Sequence, residues 1–93
     1  YTDEVLAGIE EHAQEIDELI ERLAIGWSIG RMPKVDLTIL RIAIYEMLYR
    51  KDIPDSVSIN EAVELAKRFG GDRSPSYING MLGTLEKENR KGD

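Results

Sequence analysis

The chain is short, acidic and free of cysteine, and these properties exclude several classes of protein. Its 93 residues are 42% hydrophobic and 32% charged, with a formal net charge of −6, which suits one small domain. No apolar run approaches the ~18 residues that a membrane-spanning helix needs, and the start of the chain has no secretory signal. Without cysteine, disulfides and thiolate metal sites are excluded. We expect a cytoplasmic protein with no membrane partner.

The first 24 residues predict one amphipathic helix. Apolar residues recur at steps of three and four from Val5 to Leu23, as on a helix with one buried stripe. The opposite face is acidic, and residues 1–30 contain eight acidic residues against one basic residue. We interpret this face as solvated, with docking of a basic partner as the alternative. His12 lies beside the stripe, where we expect it to border the core rather than act as a general base.

The middle of the chain predicts a helix that lacks full cover. A glycine-rich connection ends the first helix, and Trp27 within it is predicted to cap the core. The next segment, VDLTILRIAIYEMLYRK (residues 35–51), predicts a helix that is apolar on most sides. Such a helix needs other elements packed against it on most sides. The remaining helices each offer one apolar stripe. We therefore expect an exposed apolar surface and a homodimer or exchanged assembly of this chain.

Two further helices complete an all-α, four-helix prediction. Ser58 and Glu61 have the spacing of a capping box, which predicts a helix start at Ser58. Its buried stripe would contain Ile59, Ala62, Val63, Ala66 and Phe69, and Gly70-Gly71 would stop it. Ser74 and Pro75 predict the next start, followed by a stripe at Ile78, Met81, Leu82 and Leu85. Gly80 inside this helix costs about 1 kcal/mol relative to alanine and suggests a close helix crossing.

The residue inventory offers little for catalysis or metal binding. One histidine and no cysteine leave too few groups for a zinc site or a nucleophile–base pair. We find neither a phosphate-binding glycine loop nor the acidic spacing of a calcium loop. The sequence therefore predicts a protein that is not an enzyme and that has no cofactor.

Basic and aromatic residues cluster around the turn between the last two helices. This cluster contains Lys67, Arg68, Arg73 and Tyr77. Proteins bind single-stranded RNA with cations that contact phosphates and rings that stack on bases. Lys67 and Arg68 have an alternative role, because cations also stabilise the negative end of a helix. The cluster thus suggests RNA contact without establishing it.

Several segments resemble the NusB family of bacterial transcription antitermination factors. They are VDLTILRIAIYEMLYRKDIP (35–54), INEAVELAKRFG (59–70) and SPSYINGML (74–82), while GIEEHAQEIDELIERL (8–23) fits the preceding family helix. The resemblance implies a helical bundle of two halves. Residues 1–88 would form the C-terminal part, residues 89–93 a flexible tail, and the N-terminal half with its arginine-rich segment would be absent.

The resemblance also implies a function and its partners. Family members bind the boxA element of ribosomal RNA leader transcripts together with the small-subunit ribosomal protein NusE. This assembly joins RNA polymerase in an antitermination complex. Two alternatives remain open: an RNA-binding domain of a ribosomal RNA cytosine methyltransferase, and a pure protein-interaction module that acts through the acidic first helix.

Individual residues match the family's contacts. Asp72, Arg73, Ser76 and Tyr77 match its C-terminal RNA contacts, and the resemblance implies that Tyr77 stacks on a base. Arg73 departs from the acidic residue that is common there, so RNA affinity or selectivity is expected to differ. Asp36 matches an acidic position on the face that meets the ribosomal protein. An acid that favours the start of a helix is the alternative interpretation of Asp36.

Overall fold

Five α-helices form the fold in the computed structural model, which describes residues 2–24, 30 and 32–91. They are α1 (Thr2–Glu11), α2 (Ala13–Leu23), α3 (Lys34–Tyr49), α4 (Asp55–Phe69) and α5 (Ser74–Lys91). The described residues contain no strand, so the all-α prediction is confirmed. Trp27, the predicted cap of the core, lies outside these residues. Every described helix is too short or too polar to cross a membrane.

Helix α3 is the central element, and all four other helices pack against it. Its buried side chains point in several directions, in agreement with the prediction that it needs cover on most sides. Helix α4 contributes the smaller Ala66 to the fully buried core, while the largest fully buried apolar side chains come from α2, α3 and α5: Ile16, Ile20, Leu40, Ile44, Met47, Ile78, Leu82 and Leu85. The predicted stripe of α5 is therefore confirmed. The predicted stripe of α4 was wrong in one residue, since Phe69 is 65% exposed.

The predicted first helix is divided at His12, which gives five helices instead of four. His12 has φ −109° and ψ 17°, outside the helical region. The hydrogen-bond ladder nevertheless continues, because the His12 N–H donates to the Gly8 carbonyl at 3.1 Å. The chain thus bends at His12 without opening. The bend places the His12 ring 4.1 Å from the ring of Tyr49, stacked on it at the border of the core, as predicted.

The close helix crossing occurs at Gly8 and not at Gly80. A β-carbon on Gly8 would overlap the ring of Tyr45, so only glycine lets α1 approach α3 here. A β-carbon on Gly80 would meet nothing within 4 Å. The prediction for Gly80 was wrong, because the glycine lies on the exposed face of α5.

Helix α4 begins three residues earlier than its predicted capping box. Pro54 has extended backbone angles (φ −59°, ψ 142°), and its carbonyl accepts hydrogen bonds from the N–H groups of Val57 and Ser58 at 3.0 and 3.3 Å. Asp55 then occupies the first turn, where the helix dipole favours an acid. Ser58 is consequently inside the helix and buried. The capping-box prediction was wrong because Pro54 already provides the start.

Candidate functional site

A pocket of about 260 Å³ lies between the start of α3 and the turn that joins α4 to α5. It is lined by Pro33, Asp36, Gly71, Asp72, Arg73, Ser74 and Tyr77. We call it the turn pocket. Three of the predicted RNA-binding residues therefore share one pocket with Asp36, which the sequence had connected with a protein partner.

The shape of the α4–α5 turn depends on glycine. Helix α4 ends at Phe69, and Gly70 follows in an extended conformation (φ −94°, ψ −178°), which confirms the predicted stop. A β-carbon on Gly70 would lie 2.7 Å from the Ser74 β-carbon and 2.8 Å from the Ala66 carbonyl oxygen. Glycine is needed here for close approach, and this close approach brings Ser74 next to the start of α3.

Ser74 connects the turn to α3. Its Oγ accepts a hydrogen bond from the Gly71 N–H at 3.0 Å and donates one to Asp36 Oδ2 at 2.9 Å. Ser74, the predicted cap, is itself the first residue of α5, so the helix begins one residue before the predicted Pro75. The pairing explains why two polar side chains are buried here, since a buried polar group needs hydrogen bonds.

Asp36 has one oxygen that this network does not use. The residue is only 5% exposed, and its Oδ1 has no hydrogen-bond partner among the described residues. An unsatisfied buried acceptor is costly, which makes this atom unusual within the fold. The predicted contact of Asp36 with a protein partner stays a prediction. Its side chain lies in the turn pocket beside the predicted RNA-binding residues.

Tyr77 forms one wall of the turn pocket. Its ring is half-buried against the core, and its hydroxyl oxygen is buried. Burial raises the pKa of the Tyr77 hydroxyl, and the negative charge of Asp36 raises this pKa further. The phenol thus remains neutral at physiological pH, with its hydroxyl end directed inward toward the charge of Asp36.

Arg73 and Asp72 lie at the exposed rim of the same pocket. Within the described part of the chain, the Arg73 guanidinium makes no ion pair. An exposed, unpaired guanidinium next to an aromatic wall is suited to a phosphate group. Asp72 adds an acceptor at the rim, so the pocket combines a cation with carboxylates.

The other predicted RNA-binding residues lie outside this pocket. Lys67 forms an exposed ion pair with Glu64 on its own helix, at 3.3 Å. Arg68 lines a separate depression on α4 with Asn60, Glu61, Glu64 and Leu65. Ser76 is exposed on the first turn of α5. The fold thus separates the residues that line the turn pocket from the other predicted RNA-binding residues, although all of them lie near the α4–α5 turn.

A second surface, which we call the α3–α4 groove, is apolar and open. This groove encloses about 420 Å³ and is lined by Lys34, Val35, Thr38, Ile39, Ile42, Leu65 and Phe69. Val35, Leu65 and Phe69 are exposed despite their size, which confirms the expected exposed apolar surface. The sequence analysis did not assign these three residues to the exposed apolar surface. Val35 and Leu65 lie outside the predicted stripes, and this position could have indicated that they are exposed.

Comparison with known proteins agrees with this fold. A sequence model of the NusB family matches residues 1–87. The chain belongs to the NusB family. It is 55% identical over 82 residues to "Transcription antitermination protein NusB" of Geobacter sulfurreducens, covering 88% of this chain and 59% of the relative. It is 53% identical over 87 residues to the protein of the same name from Acetivibrio thermocellus, covering 94% of this chain and 60% of the relative.

A solved structure gives the same result for the three-dimensional fold. T. maritima NusB superimposes with a TM-score of 0.88 at 45% sequence identity, covering 91% of this NusB-family chain and 60% of that chain. The chain therefore spans about three fifths of the length of these relatives. Both curated relatives carry the name of a transcription antitermination protein.

Proposed function

We propose that this NusB-family chain is a non-catalytic transcription antitermination factor of the cytoplasm. It binds boxA-type RNA of ribosomal RNA leaders together with the ribosomal protein NusE, within the antitermination complex of RNA polymerase. Family membership supports the general role. The observation that carries the RNA-binding role is the turn pocket, in which the Arg73 guanidinium, without an ion pair among the described residues, lies beside the half-buried Tyr77 ring.

In the proposed mechanism, the turn pocket holds one nucleotide of a single strand. The Tyr77 ring stacks on the base, and Arg73 contacts the adjacent phosphate. Asp72 at the rim hydrogen-bonds the sugar or the base edge, and Ser76, exposed on the first turn of α5 outside the pocket, hydrogen-bonds the neighbouring RNA backbone. Lys67 and Arg68, on the last turn of α4, attract phosphates that lie outside the pocket. The protein supplies recognition, and no chemical step is involved.

The α3–α4 groove is the proposed docking surface for the ribosomal protein. Its floor is apolar, and the neighbouring depressions on α4 carry Glu61 and Glu64. Apolar surface with an acidic border is complementary to a basic protein that also presents apolar side chains. The groove begins beside Asp36, so RNA and protein would bind on neighbouring surfaces of α3.

The RNA-binding role is tested by titrating labelled boxA RNA and a scrambled control against the protein, with and without NusE. Replacing Tyr77 by leucine keeps apolar contact with the core and removes the stacking surface. We expect boxA affinity to fall roughly 5- to 150-fold, since stacking contributes about 1–3 kcal/mol per base. Arg73→Gln should reduce the slope of log affinity against log salt by about 1.

Two control variants separate the surfaces. Lys87→Gln removes an exposed cation of α5 that does not line the pocket, and it should leave the salt slope almost unchanged. Phe69→Ser should weaken NusE binding and leave the affinity for RNA alone unaltered. Equal binding of boxA and scrambled RNA under all these conditions would contradict the proposed role.

The same groove is the proposed site of self-association when no partner is present. Exposed apolar patches associate, and Phe69 and Leu65 give this surface its largest exposed side chains. Light scattering across a concentration series should detect a homodimer, and Phe69→Ser should shift the protein to monomer. A wild-type protein that remains monomeric at the highest concentration would overturn this part of the proposal.

A further inference from the structure

Asp36 contains a buried acceptor that is already in place before any ligand binds. Its Oδ2 accepts a hydrogen bond from the Ser74 hydroxyl at 2.9 Å, which holds one end of the carboxylate. Oδ1 has no partner among the described residues, and Asp36 lines the turn pocket. Folding has already removed this oxygen from water. A ligand that donates a hydrogen bond to Oδ1 therefore gains an interaction without a further desolvation cost for the carboxylate.

The chemistry of this atom defines the ligand group. A carboxylate only accepts hydrogen bonds, so it repels phosphate and carbonyl oxygens and favours N–H groups. Adenine, cytosine and guanine each carry an exocyclic amino group. Uracil has one N–H, which lies between two carbonyl oxygens that a carboxylate would repel.

We propose that Asp36 makes the turn pocket selective for an amino-bearing base and rejects uracil. This inference rests on the proposed RNA-binding function and adds the determinant of base choice. The Tyr77 ring fixes the plane of the base, Asp36 Oδ1 accepts from its amino group, and Arg73 at the rim contacts the phosphate of the same nucleotide. One nucleotide thus matches three groups that the fold brings together.

The charge pattern of the pocket favours a nucleotide over a basic side chain of a protein. A lysine or arginine side chain could also donate to Asp36. It would, however, bring a second cation next to Arg73, whose guanidinium is unpaired among the described residues. A nucleotide supplies a donor for Asp36 and an anion for Arg73 together, so both charges are matched.

The experiment measures base preference position by position. Wild type and Asp36→Asn are titrated with boxA RNA and with single-nucleotide variants that place uridine at each position in turn. At one position, wild type should lose roughly tenfold or more in affinity on substitution by uridine. Asp36→Asn can present an amide N–H to a uracil carbonyl. The Asp36→Asn variant should therefore lose the discrimination against uridine at that position and keep the wild-type base preference at the other positions.

A measurement on the RNA side does not depend on whether the variant folds. At the discriminating position, the amino group is deleted from the base itself, with purine riboside replacing adenosine, inosine replacing guanosine, or 2-pyrimidinone riboside replacing cytidine. The affinity of wild type should fall by a factor similar to that caused by uridine at this position. If wild type binds boxA selectively but no position responds to loss of an amino group, the inference is wrong while the proposed function stands.

Tyr77→Phe is the matched control, because it removes the hydroxyl and keeps the stacking ring. If Asp36 only held the Tyr77 hydroxyl, both variants would weaken all RNAs by the same factor, and the inference would fail. It would also fail if Asp36→Asn left RNA binding intact and weakened NusE binding, since the pocket would then accept a protein side chain. If wild type binds no RNA selectively, with or without NusE, the proposed function fails as well.

Discussion

The two sides of α3 differ in how they are covered. On one side, α1 and α2 pack on the helix, and polar contacts surround the junction. On the other side, the α3–α4 groove leaves large apolar side chains exposed. The same helix therefore forms an internal interface and an open surface.

The covered side is held by contacts between specific atoms. Arg41 donates two hydrogen bonds of 2.9 Å to the two carboxylate oxygens of Asp17 on α2. The Tyr49 hydroxyl donates to Glu15 Oε2 at 2.6 Å, next to the stacked His12 ring. Part of the acidic face that we had interpreted as solvated thus contacts α3. The sequence could not reveal this role for Asp17 and Glu15, because their partners are 24 and 34 residues away.

Among the described residues, the side chains that line the groove make no hydrogen bond to another helix, and Thr38 Oγ1 donates only to the Lys34 carbonyl of its own helix, at 2.8 Å. An interface inside a folded protein combines buried apolar area with hydrogen-bonded polar groups. The covered side of α3 has both. A surface with apolar area alone is typical of binding surfaces. The comparison therefore teaches that specific polar contacts join α1 and α2 to α3, whereas the groove beside α4 leaves apolar surface available for association.

The largest expected effect comes from the centre of α3. Leu40→Ala removes a side chain with 0% exposure and should lower the free energy of unfolding by about 2–5 kcal/mol, because it leaves a cavity. Leu65→Ala in the groove removes the same atoms at 36% exposure and should cost under about 1 kcal/mol. Urea denaturation of both variants measures the difference. Equal losses would contradict the division of α3 into covered and open sides.

The next effect concerns two glycines that the fold treats differently. Gly8→Ala inserts a methyl group into the ring of Tyr45 and should cost about 1–3 kcal/mol through overpacking. Gly80→Ala meets open space inside a helix and should stabilise the protein by about 0.5–1 kcal/mol. Thermal denaturation should show a lower melting temperature for Gly8→Ala and a higher one for Gly80→Ala, each relative to wild type. A destabilising Gly80→Ala would restore the predicted crossing at Gly80.

A smaller effect is expected from the ion pair of Arg41 and Asp17. Both side chains are 33% exposed, so water screens the pair. A double-mutant cycle with Arg41→Met and Asp17→Asn should give a coupling energy of about 0.5–1 kcal/mol, the upper part of the range for exposed pairs because the contact is bidentate. The coupling should decline as salt is added. A coupling of zero at low salt would show that packing alone holds this side.

The smallest effect is a pH dependence at Tyr49. The hydrogen bond to Glu15, then burial and the negative charge of Glu15, raise the pKa of Tyr49 from its ordinary value of 10.0 to about 12. Because the folded pKa is the higher one, the stabilisation is complete below pH 10 and is lost as the pH rises through 12. NMR titration of the tyrosine ring carbons should show the Tyr49 transition near pH 12.

Two variants assign this transition. Tyr49→Phe should remove it, and Glu15→Gln should move it toward the ordinary value because the charged acceptor is gone. Titration of wild-type Tyr49 near 10 would indicate that the contact with Glu15 does not form in solution.

Several residues of the candidate site could be predicted from the sequence, but their arrangement in space could not. Arg73 and Tyr77 were identified from a basic turn beside an off-stripe aromatic, and the structure brings them into one pocket. Lys67 and Arg68 shared that cluster only in sequence, because α4 directs them to other partners and surfaces. Asp36 could not be connected with Tyr77 from spacing, since a hydrogen bond between Ser74 and Asp36 joins residues 38 positions apart.

The sequence by itself determined the helical class, the apolar stripes of α2 and α5, the stop at Gly70 and the incomplete cover of α3. These features depend on interactions between residues a few positions apart, which periodicity and turn residues record. Only the tertiary structure decided the bend at His12, the start of α4 at Asp55, the crossing at Gly8 and the buried carboxylate of Asp36. Each of these depends on what a distant helix places next to the residue, and local pattern carries no information about that contact.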